Sequence, residues 1–323
     1  MQYRSIHDLH RDALANLHRI PNDIDVVVGI PRSGLLVANM IALALNLPLA
    51  EVGGFAEGHL IAAGKTRRRE ALDVDHTRIR HALVIDDSIH TGTALADARK
   101  ALAHLTDRMQ LTYAVVYKPA GKIEADVLAF DTVPMPRVFE WNLFHHPVLQ
   151  TACVDIDGVL CHDPDEEQND DGEAYVEFLL DARPRHSPTQ RIGHLVTSRL
   201  EKYRAETEAW LAKQNVVYDK LVMLDLPDAE TRRRLGSHGR FKGEYYRRTK
   251  SPLFIESEPH QAAEIAKISG KDVLCTADQS IYRPDSLSPL RVAQTVRHAS
   301  LKNLAKTVLG PDLSRGVKRL LSR

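Results

Sequence analysis

Hydrophobic positions along this chain fall into short unbroken runs, separated by stretches with helical spacing. Ile6, Leu9, Leu14 and Leu17 share one face of a helical wheel ahead of Pro21, which predicts an opening helix. Val26-Val27-Val28-Gly29-Ile30 is an apolar run too short for a helix and reads as a buried strand. A Pro-Arg-Ser-Gly turn then leads into an apolar helix from Leu35 to Leu45. Ala82-Leu83-Val84-Ile85 predicts a second buried strand, Thr93–Leu105 the helix after it, and Leu111–Tyr117 a third strand. Residues 55–80 are rich in charge and glycine and read as a long loop, while 118–150 is polar and punctuated by proline. The alternation restarts at Ala152, with a helix around Tyr175–Leu180 and strands at His194–Val196, Leu221–Leu224, Leu253–Ile255 and Val273–Cys275. Buried strands alternating with helices predict parallel sheets in two successive units. The expected fold class is therefore α/β, with domains at 1–150 and 151–290 and a helical tail at 291–323.

Composition changes this picture mainly at the tail. A chain of 323 residues with 43% hydrophobic and 27% charged positions fits a soluble two-domain protein. Its formal net charge of zero conceals an asymmetry: residues 291–323 hold eight Lys/Arg and one acid, Asp312. Val292, Val296, Leu304 and Val308, then Leu313, Val317, Leu320 and Leu321, keep helical spacing with cations elsewhere on the wheel. Two basic amphipathic helices of this kind either lie in an anionic lipid interface or pack on the domain surface. No aromatics interleave the cations, so nucleic acid is not an expected partner. Cys153, Cys161 and Cys275 show no ligand or disulfide spacing, which points to a reducing cytosol. Met1-Gln2-Tyr3-Arg4 lacks the apolar run of a signal peptide, and no stretch reaches transmembrane length. The expected location is cytoplasmic, with the tail able to reach the inner face of the cytoplasmic membrane.

The first chemical signature is Val84-Ile85-Asp86-Asp87-Ser88-Ile89-His90-Thr91-Gly92-Thr93-Ala94. A buried strand, two acids and a Ser/Thr/Gly turn opening a helix can cradle a phosphate on backbone N–H groups, helped by hydroxyls. The adjacent carboxylates suit the vicinal hydroxyls of a ribose. The segment resembles the phosphoribosyl pyrophosphate (PRPP) motif of type I phosphoribosyltransferases. That resemblance implies ribose contacts from Asp86 and Asp87, and 5-phosphate contacts from Ser88, Thr91, Gly92 and Thr93. Upstream, Gly29-Ile30-Pro31-Arg32-Ser33-Gly34-Leu35 resembles the family's pyrophosphate loop, with Arg32, Ser33 and Gly34 against the ligand. Lys65, in the basic loop Gly64–Arg69, stands where the family has a loop that closes over pyrophosphate, and Lys118 is a further candidate. Mg²⁺ is the implied cofactor, and 1–20 and 120–147 are the candidate hoods for the acceptor.

The second signature is Cys153-Val154-Asp155-Ile156-Asp157-Gly158-Val159-Leu160. It resembles the first motif of haloacid dehalogenase-type phosphatases. The resemblance implies Asp155 as the nucleophile on phosphorus and Asp157 as the acid and base. Three further elements follow in the family's order: Thr197 ending a strand, Lys242 at a helix start, and Glu256 and Glu258 in an acidic motif. Asp155, Thr197, Lys242 and Asp157 are thus the implied catalytic set, and Asp155, Asp157, Glu256 and Glu258 the implied Mg²⁺ ligands. Lys220 competes with Lys242. Only 39 residues lie between Asp157 and Thr197, which leaves room for little or no cap.

Nearly the whole chain thus resembles a fusion of these two families, similar to bifunctional ribofuranosyltransferase/phosphatase proteins of bacterial polysaccharide assembly. The implied activity is transfer of 5-phosphoribosyl from PRPP to a glycan hydroxyl, lipid-linked glycans included, and then removal of the 5-phosphate. An alternative is a nucleobase phosphoribosyltransferase and nucleotide phosphatase that together make a nucleoside-like molecule. A third is a non-catalytic role in which one or both domains bind ligands as sensors, against which the intact Asp155 and Asp157 argue for the second half. Homo-oligomerisation stays open.

Overall fold

The structure, a computed structural model, describes residues 1–61, 75–121, 123–169, 171–236 and 238–285. Lys65 with the rest of its basic loop, and the whole tail at 291–323, lie outside them. In chain order the first half runs β1 (Gln2–Arg4), α1 (Ile6–Ala15), β2 (Val26–Gly29), α2 (Ser33–Leu45), β3 (Leu49–Glu51), α3 (Val52–Ala56), β4 (His81–Ser88), α4 (Thr93–Leu102), β5 (Gln110–Lys118), β6 (Val127–Thr132) and β7 (Arg137–Phe139). The second half runs β8 (Cys153–Val154), α5 (Glu173–Asp181), β9 (Ile192–Leu200), α6 (Arg204–Lys213), β10 (Tyr218–Leu224), α7 (Ala229–Leu235), α8 (His238–Arg248), β11 (Phe254–Glu256), α9 (Pro259–Ser269), β12 (Val273–Cys275) and β13 (Ser280–Tyr282).

The predicted apolar runs become the central strands. A five-stranded sheet has the order β3-β2-β4-β5-β6, parallel throughout, with Gly29 beside Ile85 and Ser88 beside Tyr117. Both faces are covered, because buried residues of β4 alternate between two cores: Leu83 and Ile85 on one, Ala82 and Val84 on the other. The second sheet has the order β10-β9-β8-β11-β12-β13. It is parallel except at β13, which runs antiparallel to β12, so the all-parallel expectation fails at that edge. Ser280–Tyr282 is half-buried and three residues long, too short for any periodic signal.

Segment 118–150 is not merely polar punctuation. It supplies β6 to the first sheet and β7, which pairs in parallel with β1. The two candidate hood segments, 1–20 and 120–147, are therefore joined through this two-stranded ribbon. The domain boundary near 150 separates the two large sheets, but the core ignores it. Tyr3, Val138, Leu143, Phe144 and Leu149 belong to the same buried cluster as Leu160, Leu179 and Trp210. The Tyr3 hydroxyl also reaches Gln279. Among the described residues no helix is long and apolar enough to cross a membrane.

Packing around Trp210 connects this core to the second site. The side chain is 1% exposed, and its Nε1 donates to the Ala182 carbonyl at 2.8 Å, fixing α6 against the end of α5. Its ring also faces the buried Arg199 guanidinium at 5.9 Å. Trp210→Ala should lower unfolding free energy by about 3–5 kcal/mol in a urea titration, the range for emptying a buried aromatic site. A loss below about 1 kcal/mol would mean that α6 carries little of this core.

Candidate active sites

Both signatures fall at the carboxyl ends of central strands, the usual ligand edge of such sheets. At the first, β4 delivers Asp86 and Asp87, which are 9% and 4% exposed. Ser33, the first residue of α2, donates from Oγ to Asp87 Oδ1 at 2.6 Å, and Trp141 Nε1 donates to Asp87 Oδ2 at 3.0 Å. The Asp87 N–H donates to Asp86 Oδ1 at 2.8 Å. Burial first, then the charge of Asp87, pushes the Asp86 carboxyl from 3.8 up to about 8. A desolvated acid pair of this kind draws a proton, a sugar hydroxyl or a divalent cation.

The turn after β4 is open. Ser88 is half-buried, Thr91 and Thr93 are exposed with their hydroxyls 3.0 Å apart, and Gly92 precedes α4 with a φ of 83°. Arg32 is exposed at the entrance to α2, and the Pro31–Arg32 peptide is cis. Gly34 is held by contact: a Cβ there would stand 2.8 Å from both Asp86 Oδ1 and the Ile85 carbonyl. Lys118, at the end of β5, donates from Nζ to the Gly121 carbonyl at 2.7 Å. Trp141 escaped the sequence reading. It stacks on Phe139 at 4.7 Å, which stacks on Tyr117 at 5.5 Å, so an aromatic column from the β7 segment ends on Asp87. The alternating aromatics at 139 and 141 were the available signal.

The second site is built on β8, β9, β11 and α8. Lys242 is 2% exposed and donates to Asp155 Oδ2 at 2.6 Å, Glu256 Oε2 at 2.8 Å and Gln261 Oε1 at 3.0 Å. It sits mid-helix in α8, as its fifth residue, rather than at the helix start. Burial alone would lower the lysine, but Asp155 and Glu256 outweigh it and hold Nζ charged. One ammonium between two buried carboxylates leaves negative charge unmatched. Burial, with Glu256 and Asp157 adding to it, accordingly pushes Asp155 well above the usual carboxylate range despite Lys242. Lys220 is exposed within β10 and takes no part.

Asp157 is arranged differently from its neighbour. Arg199, fully buried, donates from Nη2 to Asp157 Oδ1 at 2.6 Å and from Nε to both carboxylate oxygens at 3.1 Å. Burial acts to raise this acid, but the charge and hydrogen bonds of Arg199 overcome it and hold Asp157 below the ordinary value. Sequence reading passed over Arg199, although it lies two residues after Thr197 on the same side of β9. Thr197 is fully buried, its hydroxyl accepting from the Arg199 N–H at 3.2 Å, and Ser198 is the residue that lines the cavity. Glu258 caps α9, accepting from the His260 and Gln261 N–H groups at 3.0 and 2.6 Å. Gly158, at a φ of 72°, lies so close to the Ser257 hydroxyl that a Cβ there would overlap it.

A cavity of about 440 Å³ opens over these groups, walled by Asp155, Asp163, Ser198, Arg232, Lys242 and Glu256 among others. Among the described residues no three His, Cys, Asp or Glu side chains are grouped to hold a metal ion. Magnesium seldom needs such a cage: it takes one or two carboxylates and completes its shell with water and phosphate oxygens. Asp155 and Glu256 fit that demand, and so does the Asp86–Asp87 pair. Between Asp157 and Thr197, α5 is the single helix among the described residues.

The segment of residues 2–149, just under half of the chain, matches the phosphoribosyl transferase domain family. It is similar to a xanthine-guanine-hypoxanthine phosphoribosyltransferase of Helicobacter pylori, at 16% identity over 44% of this chain and 92% of that one, with a TM-score of 0.32. A purine phosphoribosyltransferase of Pyrococcus horikoshii Ot3 aligns at 18% identity over 43% and 92% of the two chains, TM-score 0.32. An orotate phosphoribosyltransferase of Aeropyrum pernix aligns at 20% over 38% and 70%, TM-score 0.26. No curated protein matches the chain.

Two outcomes test the first site. Gly34→Ala should cut PRPP-dependent pyrophosphate release on the order of 100-fold, because neither a strand carbonyl nor a buried carboxylate can yield to the new methyl. Undiminished release would show that α2 can retreat. Folded Asp86 releases its proton near pH 8 and unfolded Asp86 near 3.8, so the folded chain binds more protons between those values. Its stability therefore falls as pH rises through that window. Asp86→Asn should flatten the decline in Tm between pH 5 and pH 8, and a slope equal to wild type would remove Asp86 as its source.

Proposed function

We propose that the chain is a bifunctional enzyme: its first half transfers 5-phosphoribosyl from PRPP to an acceptor hydroxyl, and its second half removes a phosphoryl group through Asp155. The observation that carries the second activity is Lys242, seated between Asp155 and Glu256 at the ends of β8 and β11. That arrangement offers a desolvated nucleophile, a fixed cation for phosphate oxygens and an acid for magnesium. In the first half, pyrophosphate leaves ribose through a cationic transition state, so the work is chiefly charge placement. Asp86 and Asp87 hold the ribose hydroxyls, and Ser88, Thr91, Gly92 and Thr93 hold its 5-phosphate. Arg32, Ser33 and Gly34 meet the pyrophosphate. Mg²⁺, when bound, supplies counter-charge to the pyrophosphate and to the transferred phosphoryl group.

For the acceptor we infer a glycan, with the ribosyl 5-phosphate hydrolysed afterwards to leave a ribofuranosyl residue. The short stretch between Asp157 and Thr197, with α5 as its one helix among the described residues, supports this, because a small lid would let the site admit the phosphorylated end of a large molecule. A basic amphipathic tail at 291–323 would bring such an enzyme to a membrane carrying lipid-linked acceptors.

Asp155→Ala separates the two activities. With PRPP, Mg²⁺ and a synthetic glycan acceptor it should consume PRPP at the wild-type rate, release pyrophosphate but no phosphate, and accumulate a phosphoribosylated product. A nucleobase panel run in parallel would replace the glycan reading if only a base supports turnover. Loss of pyrophosphate release in the variant would defeat the two-step scheme.

A further inference from the structure

The second cavity holds more anion-binding capacity than one phosphoryl group uses. Beyond Lys242 its wall includes Arg232 and Ser198, which are 7% and 8% exposed. Arg232 Nη1 donates to the Ser198 carbonyl at 3.1 Å and Nη2 to Asn169 Oδ1 at 3.4 Å, and the guanidinium also meets Tyr175. Two buried polar atoms of this corner, Arg232 Nε and Ser198 Oγ, have no hydrogen-bond partner among the described residues. Buried donors are seldom left unpaired, and a guanidinium N–H beside a hydroxyl is the chemistry that meets phosphate oxygens. Arg185 adds a third cation at the exposed rim. Near these lies Asp157, held by three contacts of 2.6–3.1 Å to a buried arginine. So clamped, it is held as a carboxylate, the form that takes a proton from water.

We propose that the second site also cleaves pyrophosphate, with one phosphoryl group at Asp155 and Lys242 and the other at Arg232 and Ser198. This goes beyond phosphomonoester hydrolysis but rests on the reading of Asp155 as nucleophile. An Asp155 carboxylate oxygen bonds to one phosphorus, and the bond from that phosphorus to the bridging oxygen breaks. Orthophosphate departs with the electron pair and needs no proton from the protein. Water then attacks the aspartyl phosphate, Asp157 accepts its proton, and the second orthophosphate leaves as the Asp155 carboxylate is restored. The net change is one pyrophosphate and one water to two orthophosphates. Pyrophosphate is the leaving group of the first half, so its removal would make phosphoribosyl transfer irreversible.

The test uses the full chain with Mg²⁺ and, separately, inorganic pyrophosphate or p-nitrophenyl phosphate, whose leaving group also needs no acid. Wild type should turn over both, and Asp155→Ala neither. Arg232→Met should lower the ratio of pyrophosphate to aryl phosphate turnover at least tenfold. Ser198→Ala, which leaves the ion pairs in place, should lower it in the same direction. Aryl phosphate turnover without pyrophosphate turnover would overturn this inference and leave the phosphatase reading standing. A ratio unchanged in both variants would remove Arg232 and Ser198 from the site. Failure to hydrolyse either substrate, or full activity in Asp155→Ala, would defeat the phosphatase reading together with the inference.

Discussion

The second half of the molecule is organised around one buried ammonium. Lys242 comes from α8, Asp155 follows β8, Glu256 closes β11 and Gln261 belongs to α9, so four elements meet at a single nitrogen. Such a buried ion pair adds little net stability over an apolar core, because desolvation consumes most of the Coulombic gain. Its value is positional. With Lys242 absent, two buried carboxylates would face each other unscreened. With it present, they are held near each other at the strand ends, where sheet geometry presents them to the cavity.

The first half reaches a comparable arrangement by other means. Among the described residues no lysine or arginine makes a direct ion pair with Asp86 or Asp87, though the buried Arg137 lies within electrostatic reach of Asp87; a serine hydroxyl and an indole N–H hold Asp87 instead. Neutral donors fix an acid in place without cancelling its charge. That leaves the pair ready for a ligand with hydroxyls or a metal, whereas Asp155 and Asp157 are already engaged with cations. The two halves thus share a fold logic and differ in how much charge each keeps in reserve.

Much of this was legible in the sequence because parallel strands buried on both faces read as apolar runs. Val26–Gly29 and Val273–Cys275 emerge almost where hydrophobicity places them, and the acids at their neighbours' ends follow from the strand–turn–helix order. What escaped were features made by contact between distant segments. β1 and β7 are three residues each and become strands only by pairing with one another, so neither has a period of its own. Arg199 looked like an ordinary residue after a strand, since nothing local reveals that it is fully buried against Asp157. Trp141 lay inside a segment singled out only as a hood, and its link to Asp87 spans 54 positions. Thr197 and Ser198 were distinguishable only by which way the pleat turned each side chain.

The ribbon formed by β1 and β7 has a consequence for how the molecule is assembled. Tyr3 precedes the whole second half in the chain, yet it belongs to a buried cluster with residues of that half and its hydroxyl meets Gln279, 276 positions away. Closing so long a loop is entropically slow, and contacts of this separation raise the contact order of the whole chain. The first sheet can form while the rest is still being made, but the amino-terminal strand cannot complete its packing until nearly all of the second half has left the ribosome. Until then Tyr3 lacks its final neighbours, so the first half completes its packing only once the second is in place.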